Sequence, residues 1–335
     1  MDPVTHTLTG FALSRAGLKK WTPYSVPIML LAANAPDIDL IAGAWGRPAY
    51  LENHRTITHS IIAVPILAAM TVLLVRLFAR KQFSFKWAWF AAMIGVASHL
   101  ALDWLNEYGV RLLAPFSNKW WRLDSANLVD IWIWAALAFA AAAPFLSRLV
   151  SSEIGARKNP NSGRVAAILA LCFIGLYAYG RSVLHDRAVA ILDSRMYRAT
   201  APTSVTALPD EVNPFVWHGV VETQSFYELA DVNLLGSFDP DAGRVFYRPQ
   251  PTPEELTAER LAQSTDAFHQ LLRFAQYPLW RFTPVEKGIR VEVMDLRFGA
   301  PPNPRFLASA IVTLDGRIMN PDFSYDPPPD GPVSR

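Results

Sequence analysis

Four histidines and four aspartates in the first 130 residues are the side chains best suited to chemistry: His6, Asp37, Asp39, His54, His59, His99, Asp103 and Asp130. Imidazole and carboxylate donors without a thiolate suit a divalent ion such as zinc, manganese or iron. Eight donors exceed the four of one tetrahedral site, so two or more ions are expected. Such a cluster activates a water and steadies charge developing on a scissile phosphoryl or carbonyl group. Metal-assisted hydrolysis is therefore the expected reaction class.

The spacings refine this. His99 and Asp103, in SHLALD, are four residues apart, so a helix projects both from one face. Asp37 and Asp39, in NAPDIDL, follow Pro36, which disfavours helix at Ala35 and predicts that the chain unwinds there. His54 and His59, in HRTITHS, approach a helix start whose free amides favour an anion, and Arg55 beside them could hold a phosphate or pair with a site aspartate. Each motif alone has a plainer reading: a helix-ending turn for NAPDIDL, a hydrogen-bonded core residue for a lone histidine, a membrane-surface anchor for Arg55. Taken together they resist it, because unpaired burial costs several kcal/mol per group.

The elements that must position these residues are apolar. Of 335 residues 51% are hydrophobic and 18% charged, a composition that leans towards membrane. The net charge of +2, from 31 basic and 29 acidic residues, provides no global field for nucleic acid, and no nucleic-acid partner is expected. One cysteine, Cys172, excludes an intramolecular disulfide and a cysteine-rich zinc site, and is expected to be a packing residue. The N-terminus lacks a basic region ahead of its apolar stretch, so no cleaved signal peptide is expected.

Four stretches approach the length of a membrane span: Ile61–Ala79, Trp87–Leu105, Ile131–Val150 and Val165–Gly180. Thr5–Leu18 and Tyr24–Trp45 are shorter or interrupted and predict a re-entrant or tilted hairpin. Arg76, Arg80, Lys81 and Lys86 share one connecting loop, and Arg148, Arg157, Lys158 and Arg164 another; both are expected to be cytoplasmic. The histidines and aspartates then fall at the opposite, outer ends of their helices.

From Arg181 onward the composition changes to proline-rich joints and alternating runs. Strands are predicted near 215–222, 224–232, 289–298 and 306–314, with a helix near 253–276. The expected class is mainly α: a multi-spanning transmembrane helical domain holding the metal site (1–182), then a soluble α+β domain (183–325) and a disordered tail (326–335).

Five motifs in order, DPVTHTLTG, NAPDIDL, HRTITHS, SHLALD and YGVRLLAPFS, resemble the YdjM-like bacterial inner-membrane family, described as membrane-bound metal-dependent hydrolases. The resemblance covers roughly residues 1–150, and more loosely the C-terminal domain through NPFVWHGVVET and VEVMDLRFG. That family is thought to be distantly similar to the zinc-dependent phospholipase C and P1 nuclease group, which holds clustered zinc through His and Asp. The resemblance implies His6, Asp37, His54, His59, His99 and Asp103 as ligands, with Asp39 and Asp130 as ligands or orienters. It also implies catalytic roles for Asp39, Arg55 and Asp130, and substrate contacts for Arg55 and Arg111. The expected substrate is a phosphoester of a lipid or envelope molecule, and the expected location a bacterial inner membrane, multi-pass, with the C-terminal domain periplasmic. This chain departs from the soluble enzymes in its apolar spans, and His6 lies inside the chain where they often use a terminal amine. Trp217, His218, Arg281, Asp295 and Arg297 fall in the loosely matching segments. A transporter, or an envelope protein with a structural metal, would use the same cluster differently.

Overall fold

The computed structural model describes residues 1–153 and 162–325. Arg157, Lys158 and the 326–335 tail lie outside the described residues. The chain forms two compact units. One comprises Met1–Leu40, Arg55–Asp186 and Pro209–Phe215; the other comprises Ile41–His54, Arg187–Leu208 and the chain from Val216 onward.

The first unit is helical. Asp2 caps α1 (Pro3–Ala16), its carboxylate accepting from the amides of Val4 at 2.9 Å and Thr5 at 3.1 Å, with proline at the first helical position. Helix α2 (Ser25–Ala32) stops before Pro36, and Pro36–Trp45 continues as 3₁₀ turns, the unwinding that the proline predicts. A short helix, α3 (Arg47–Asn53), is counted with the second unit; a 3₁₀ turn at Ile57–His59 follows it, and α4 (Ala63–Phe78), α5 (Phe85–Trp104), α6 (Ile131–Glu153) and most of α7 (Ser162–Asp193) belong to the first.

All four candidate spans are helical. Two helices, Phe85–Trp104 and Gly163–Asp193, are long and apolar enough to cross a membrane, or up to four if each of two bent helix pairs is one span. Helix α7 runs well past the predicted Gly180, because no proline or cap stops it and its charged continuation still forms helix. Cys172 is exposed on α7 and does not serve as the expected packing residue.

Buried Ile28 and Ala32 of α2, Leu67, Ala68 and Val72 of α4, and Ala88, Ala92 and Val96 of α5 share one apolar core. Small residues allow α2 its close neighbours. A Cβ at Gly10 would lie 2.6 Å from the Met29 carbonyl oxygen and 2.9 Å from Ala33 Cβ, and one at Gly95 would lie 2.8 Å from Ala32 Cβ.

The second unit contains two four-stranded antiparallel sheets, β1-β2-β3-β4 and β5-β6-β7-β8. Their strands are β1 Ser204–Pro209, β2 Val216–Glu222, β3 Phe226–Asn233, β4 Arg244–Tyr247, β5 Pro278–Val285, β6 Gly288–Asp295, β7 Leu307–Thr313 and β8 Ile318–Ser324. The four predicted strands correspond to β2, β3, β6 and β7. The other four carry prolines, as in β5 and β8, or are short, which hides their alternation. The single helix expected at 253–276 is two, α8 (Pro253–Gln263) and α9 (Asp266–Phe274), because Thr265 turns extended between them.

Apolar side chains including Leu208, Val220, Tyr227, Leu279, Met294 and Leu307 join the two sheets in one core. The polar residues singled out here have structural work. Asp295 and Arg297 form a fully buried pair at 2.7 Å, with the guanidinium against Phe274 and Phe298. Arg281 and Glu292 pair across β5 and β6 at 2.7 Å, His218 and Asp231 pair on an exposed face at 2.8 Å, and Trp217 is fully buried. Glu228 on β3 is fully buried, with Arg198 Nε 3.8 Å from its carboxylate. Burial pushes its carboxyl up, against the pull of Arg198.

Candidate metal centre

Helix α5 presents His99 and Asp103 one turn apart, both with fully buried side chains. His59 ends the 3₁₀ turn before α4, and Asp37 opens the 3₁₀ segment after α2. These elements bring four donor atoms together. His59 Nε2 lies 3.1 Å from His99 Nε2, 3.6 Å from Asp37 Oδ1 and 3.4 Å from Asp103 Oδ2; His99 Nε2 lies 3.5 Å from each of the same two carboxylate oxygens. Ligands about 2.0–2.1 Å from a tetrahedral zinc stand about 3.3–3.4 Å from one another. The five distances are near that size, and the donors divide into two groups that share His99: Asp37 with His59 and His99, and Asp103 with His99 and His6.

The far side of each imidazole is occupied. His99 Nδ1 sits 2.7 Å from the carbonyl of Ala33, which only accepts, so Nδ1 carries the proton. His59 Nδ1 sits 3.1 Å from Asp39 Oδ2, and the Thr58 hydroxyl donates to the same oxygen at 2.6 Å. Both Nε2 atoms therefore turn bare lone pairs towards each other and towards two carboxylates. A proton shared between the imidazoles would satisfy one edge of this arrangement; a cation beside them would meet both imidazoles and a carboxylate. Partners behind metal-binding histidines commonly fix the tautomer in this way.

His6 extends the cluster. Its ring stacks on His99 with centroids 3.6 Å apart, and its Nε2 lies 3.3 Å from Asp103 Oδ1. His6, His99 and Asp103 form a second donor group beside that of Asp37, His59 and His99. Asp103 joins the two, with Oδ2 towards the quartet and Oδ1 towards His6. The Met1 nitrogen also contacts Oδ1. Asp103 Oδ1 is thus shared by His6 and the Met1 ammonium, and Oδ2 by the imidazoles of His59 and His99 and by Arg55, while His6 Nδ1 has no hydrogen-bond partner among the described residues.

The guanidinium of Arg55 reaches the cluster. Its Nε lies 3.2 Å from Asp103 Oδ2, and its Nη1 donates to Asn106 Oδ1 at 2.9 Å. The backbone of Arg55 adopts φ 59°, a left-handed conformation uncommon for a side-chain-bearing residue. That turn lets its amide donate to Asp39 at 3.0 Å while its carbonyl accepts from Arg111 at 3.1 Å. Sequence reasoning missed Asn106, which is fully buried and whose Oδ1 accepts from Arg55 and from the amides of Tyr108 and Gly109. Its place three residues after Asp103, at a helix end, was the available signal. The Ala33 carbonyl was also missed, and a backbone acceptor has no residue-type signal.

Not every candidate joins the cluster. Asp130 is the N-terminal cap of α6: Oδ1 accepts from the amides of Trp132 and Ile133, and Oδ2 accepts from the Tyr177 hydroxyl at 3.0 Å. Its expected role as catalytic group, ligand or orienter gives way to helix capping. Arg111 is buried with its guanidinium over the Trp120 ring at 4.7 Å. His54 is not among these: its donor atom groups with those of Asp37 and Asp39, and its ring stacks on Tyr50 with centroids 4.7 Å apart. Asp39 stands behind His59 as an orienting carboxylate.

Apolar helices of spanning length around a buried His and Asp cluster define a membrane protein with a candidate metal centre. The chain belongs to the YdjM inner membrane protein family, whose profile matches residues 1–185 and so covers the whole cluster. An inner-membrane location follows from that membership and the apolar helices. The chain is also 33% identical over 144 residues to the uncharacterized protein YfhP of Bacillus subtilis (strain 168). That match covers 40% of this chain and 43% of YfhP, less than half the length of either. No solved structure matches the chain.

Proposed function

We propose that this protein is a multi-pass, membrane-bound, metal-dependent hydrolase that cleaves a phosphoester of a lipid or envelope molecule by means of metal-activated water. The observation that carries the reading is the quartet of His59, His99, Asp37 and Asp103, with edges of 3.1–3.6 Å and both imidazoles held from behind. Asp37, His59 and His99 would hold one ion, with zinc favoured and manganese or iron as alternatives, and His6 and Asp103 with His99 would contribute to a second. A bound divalent ion supplies a Lewis acid for the phosphoryl oxygen and lowers the pKa of a water ligand. The protein's own residues orient and balance charge: Asp39 and the Ala33 carbonyl fix the two rings, and Arg55 holds Asp103 and adds positive charge for an anionic substrate. Asp37, at 13% exposure the least buried of the four ligands, marks the side from which solvent and substrate would enter. In this reading the centre faces the periplasm, with the second unit on the same side, as the loop cations predict. The likeness to zinc-dependent phospholipases rests on the motifs alone, and the phosphoester belongs to the proposal.

One observation favours a structural metal instead. The side chains of His59, His99 and Asp103 are fully buried, which suits a closed site, whereas catalytic zinc keeps a position open. Metal analysis of the detergent-purified protein beside the His59→Ala/Asp103→Ala variant decides the first question. One or more equivalents in the parent and little in the variant is the expected result; a well-folded parent that takes up no zinc, manganese or iron overturns the proposal. Metal exchange then separates the readings, since a closed structural site retains its ion against a chelator. Phosphoester hydrolysis that disappears on chelation and returns with metal supports catalysis.

A further inference from the structure

An apolar groove runs between α4 and α5. Met93, Ala97, Ala101 and Trp104 line it from α5, and Val64 and Pro65 line it from α4, around a volume of about 540 Å³. A second apolar hollow of about 260 Å³ shares Val64, Met93 and Ala97 and continues it to Phe90 and Trp21. From Trp104 to Phe90 the helix rises about 20 Å. Among the described residues, no charged side chain lines the larger hollow.

The upper end of this groove is built from the neighbours of the cluster. Ile61 and Leu112 close it, with the Ile61 amide donating to the Leu112 carbonyl at 3.0 Å. Ile61 lies two residues after His59, Leu112 follows Arg111, and Trp104 follows Asp103. The end of the apolar wall is thus formed by sequence neighbours of the cluster, whose His59, His99 and Asp103 side chains are themselves fully buried. Because α5 is one of the two helices of spanning length, the groove is continuous with a surface that the hydrocarbon of the bilayer covers. Water gains nothing in such a groove, and acyl chains are the solvent at hand.

We propose that the groove seats one acyl chain of a phospholipid, whose headgroup would then lie at the end formed by Ile61, Leu112 and Trp104. The inference rests on the hydrolase reading for its chemistry, where it names the substrate class as a long-chain phospholipid. Seating of the chain stands apart from turnover.

The test uses the full-length protein in nanodiscs containing phosphatidylglycerol with a diazirine near the end of one acyl chain. After photolysis, the expected label falls on the Phe90–Ala97 stretch of α5, and Ala97→Trp, which fills the groove, reduces that label several-fold while the metal content stays at the parental value. Label spread evenly over the lipid-facing sides of α5 and α7, or unchanged by Ala97→Trp, overturns the groove. In parallel, Ala97→Trp is expected to raise KM for a long-chain phospholipid and to leave a short-chain, water-soluble phosphoester unaffected. If the parent hydrolyses neither but is labelled at Phe90–Ala97, the hydrolase reading fails and the lipid seat stands.

Discussion

Each imidazole of the quartet owes its readiness to a group behind it, and this makes specific substitutions informative. Asp39→Asn keeps the shape but weakens the acceptor for His59 Nδ1, and such partners typically account for about 10–100-fold in metal affinity. The expected result is a zinc dissociation constant raised by about that factor, read by competition with a chromophoric chelator, with full occupancy restored at saturating zinc. An unchanged constant would mean that Asp39 serves the fold and not the ion. Asp130→Ala provides the contrast. Loss of a helix cap costs about 0.5–2 kcal/mol of stability, and metal content and any hydrolysis should persist, because Asp130 bonds only the start of α6 and Tyr177.

At the scale of the elements, the quartet depends on how closely α1 and α2 meet. Gly10 faces the Met29 carbonyl and Ala33 Cβ, and the Ala33 carbonyl orients His99. Gly10→Val forces the two helices apart, at a cost of about 1–3 kcal/mol for an overpacked contact, and should lower zinc occupancy without touching a ligand. Thermal unfolding and metal analysis of the same preparation check both halves; a destabilised variant that binds zinc normally would separate the helix contact from the site. These contacts also show what the sequence makes legible. The four-residue step of His99 and Asp103 and the proline break before Asp37 are written in residue types and spacings, and both are present. Ala33 acts through its backbone and Gly10 through its lack of a side chain, so neither advertises a role. The strands with internal proline, β5 and β8, were hidden for a related reason: their pairing comes from neighbours along the sheet and not from their own alternation. Asp130 looked like a ligand because a capping aspartate and a metal aspartate are the same residue at a helix end, and only its partners tell them apart.

Considered whole, the chain combines an apolar unit that carries the cluster with a sheet-rich unit whose buried charges serve its fold. Glu228 offers a probe of the latter. Burial favours its neutral form, so the folded chain keeps this proton to higher pH than the unfolded chain does. The contribution of Glu228 to stability is therefore present at low pH and is lost as pH rises from the ordinary carboxylate range through the raised value. Glu228→Gln should flatten that part of the stability curve and leave the variant relatively more stable at neutral pH. Parallel curves of melting temperature against pH for parent and variant would refute the assignment.

The placement of Asp37 and His59 has a mechanical consequence. They lie at the two ends of residues 38–58, and the middle of that stretch, Ile41–His54, is counted with the second unit. An ion gripping both ends acts as a drawstring, closing a loop that a free chain would leave wide. A covalent crosslink over a similar length contributes about 3 kcal/mol through the unfolded state. Stripping the ion would slacken the string, and limited proteolysis between Ile41 and His54 should then accelerate. Equal cleavage with and without chelator would show that the loop is held by its packing alone.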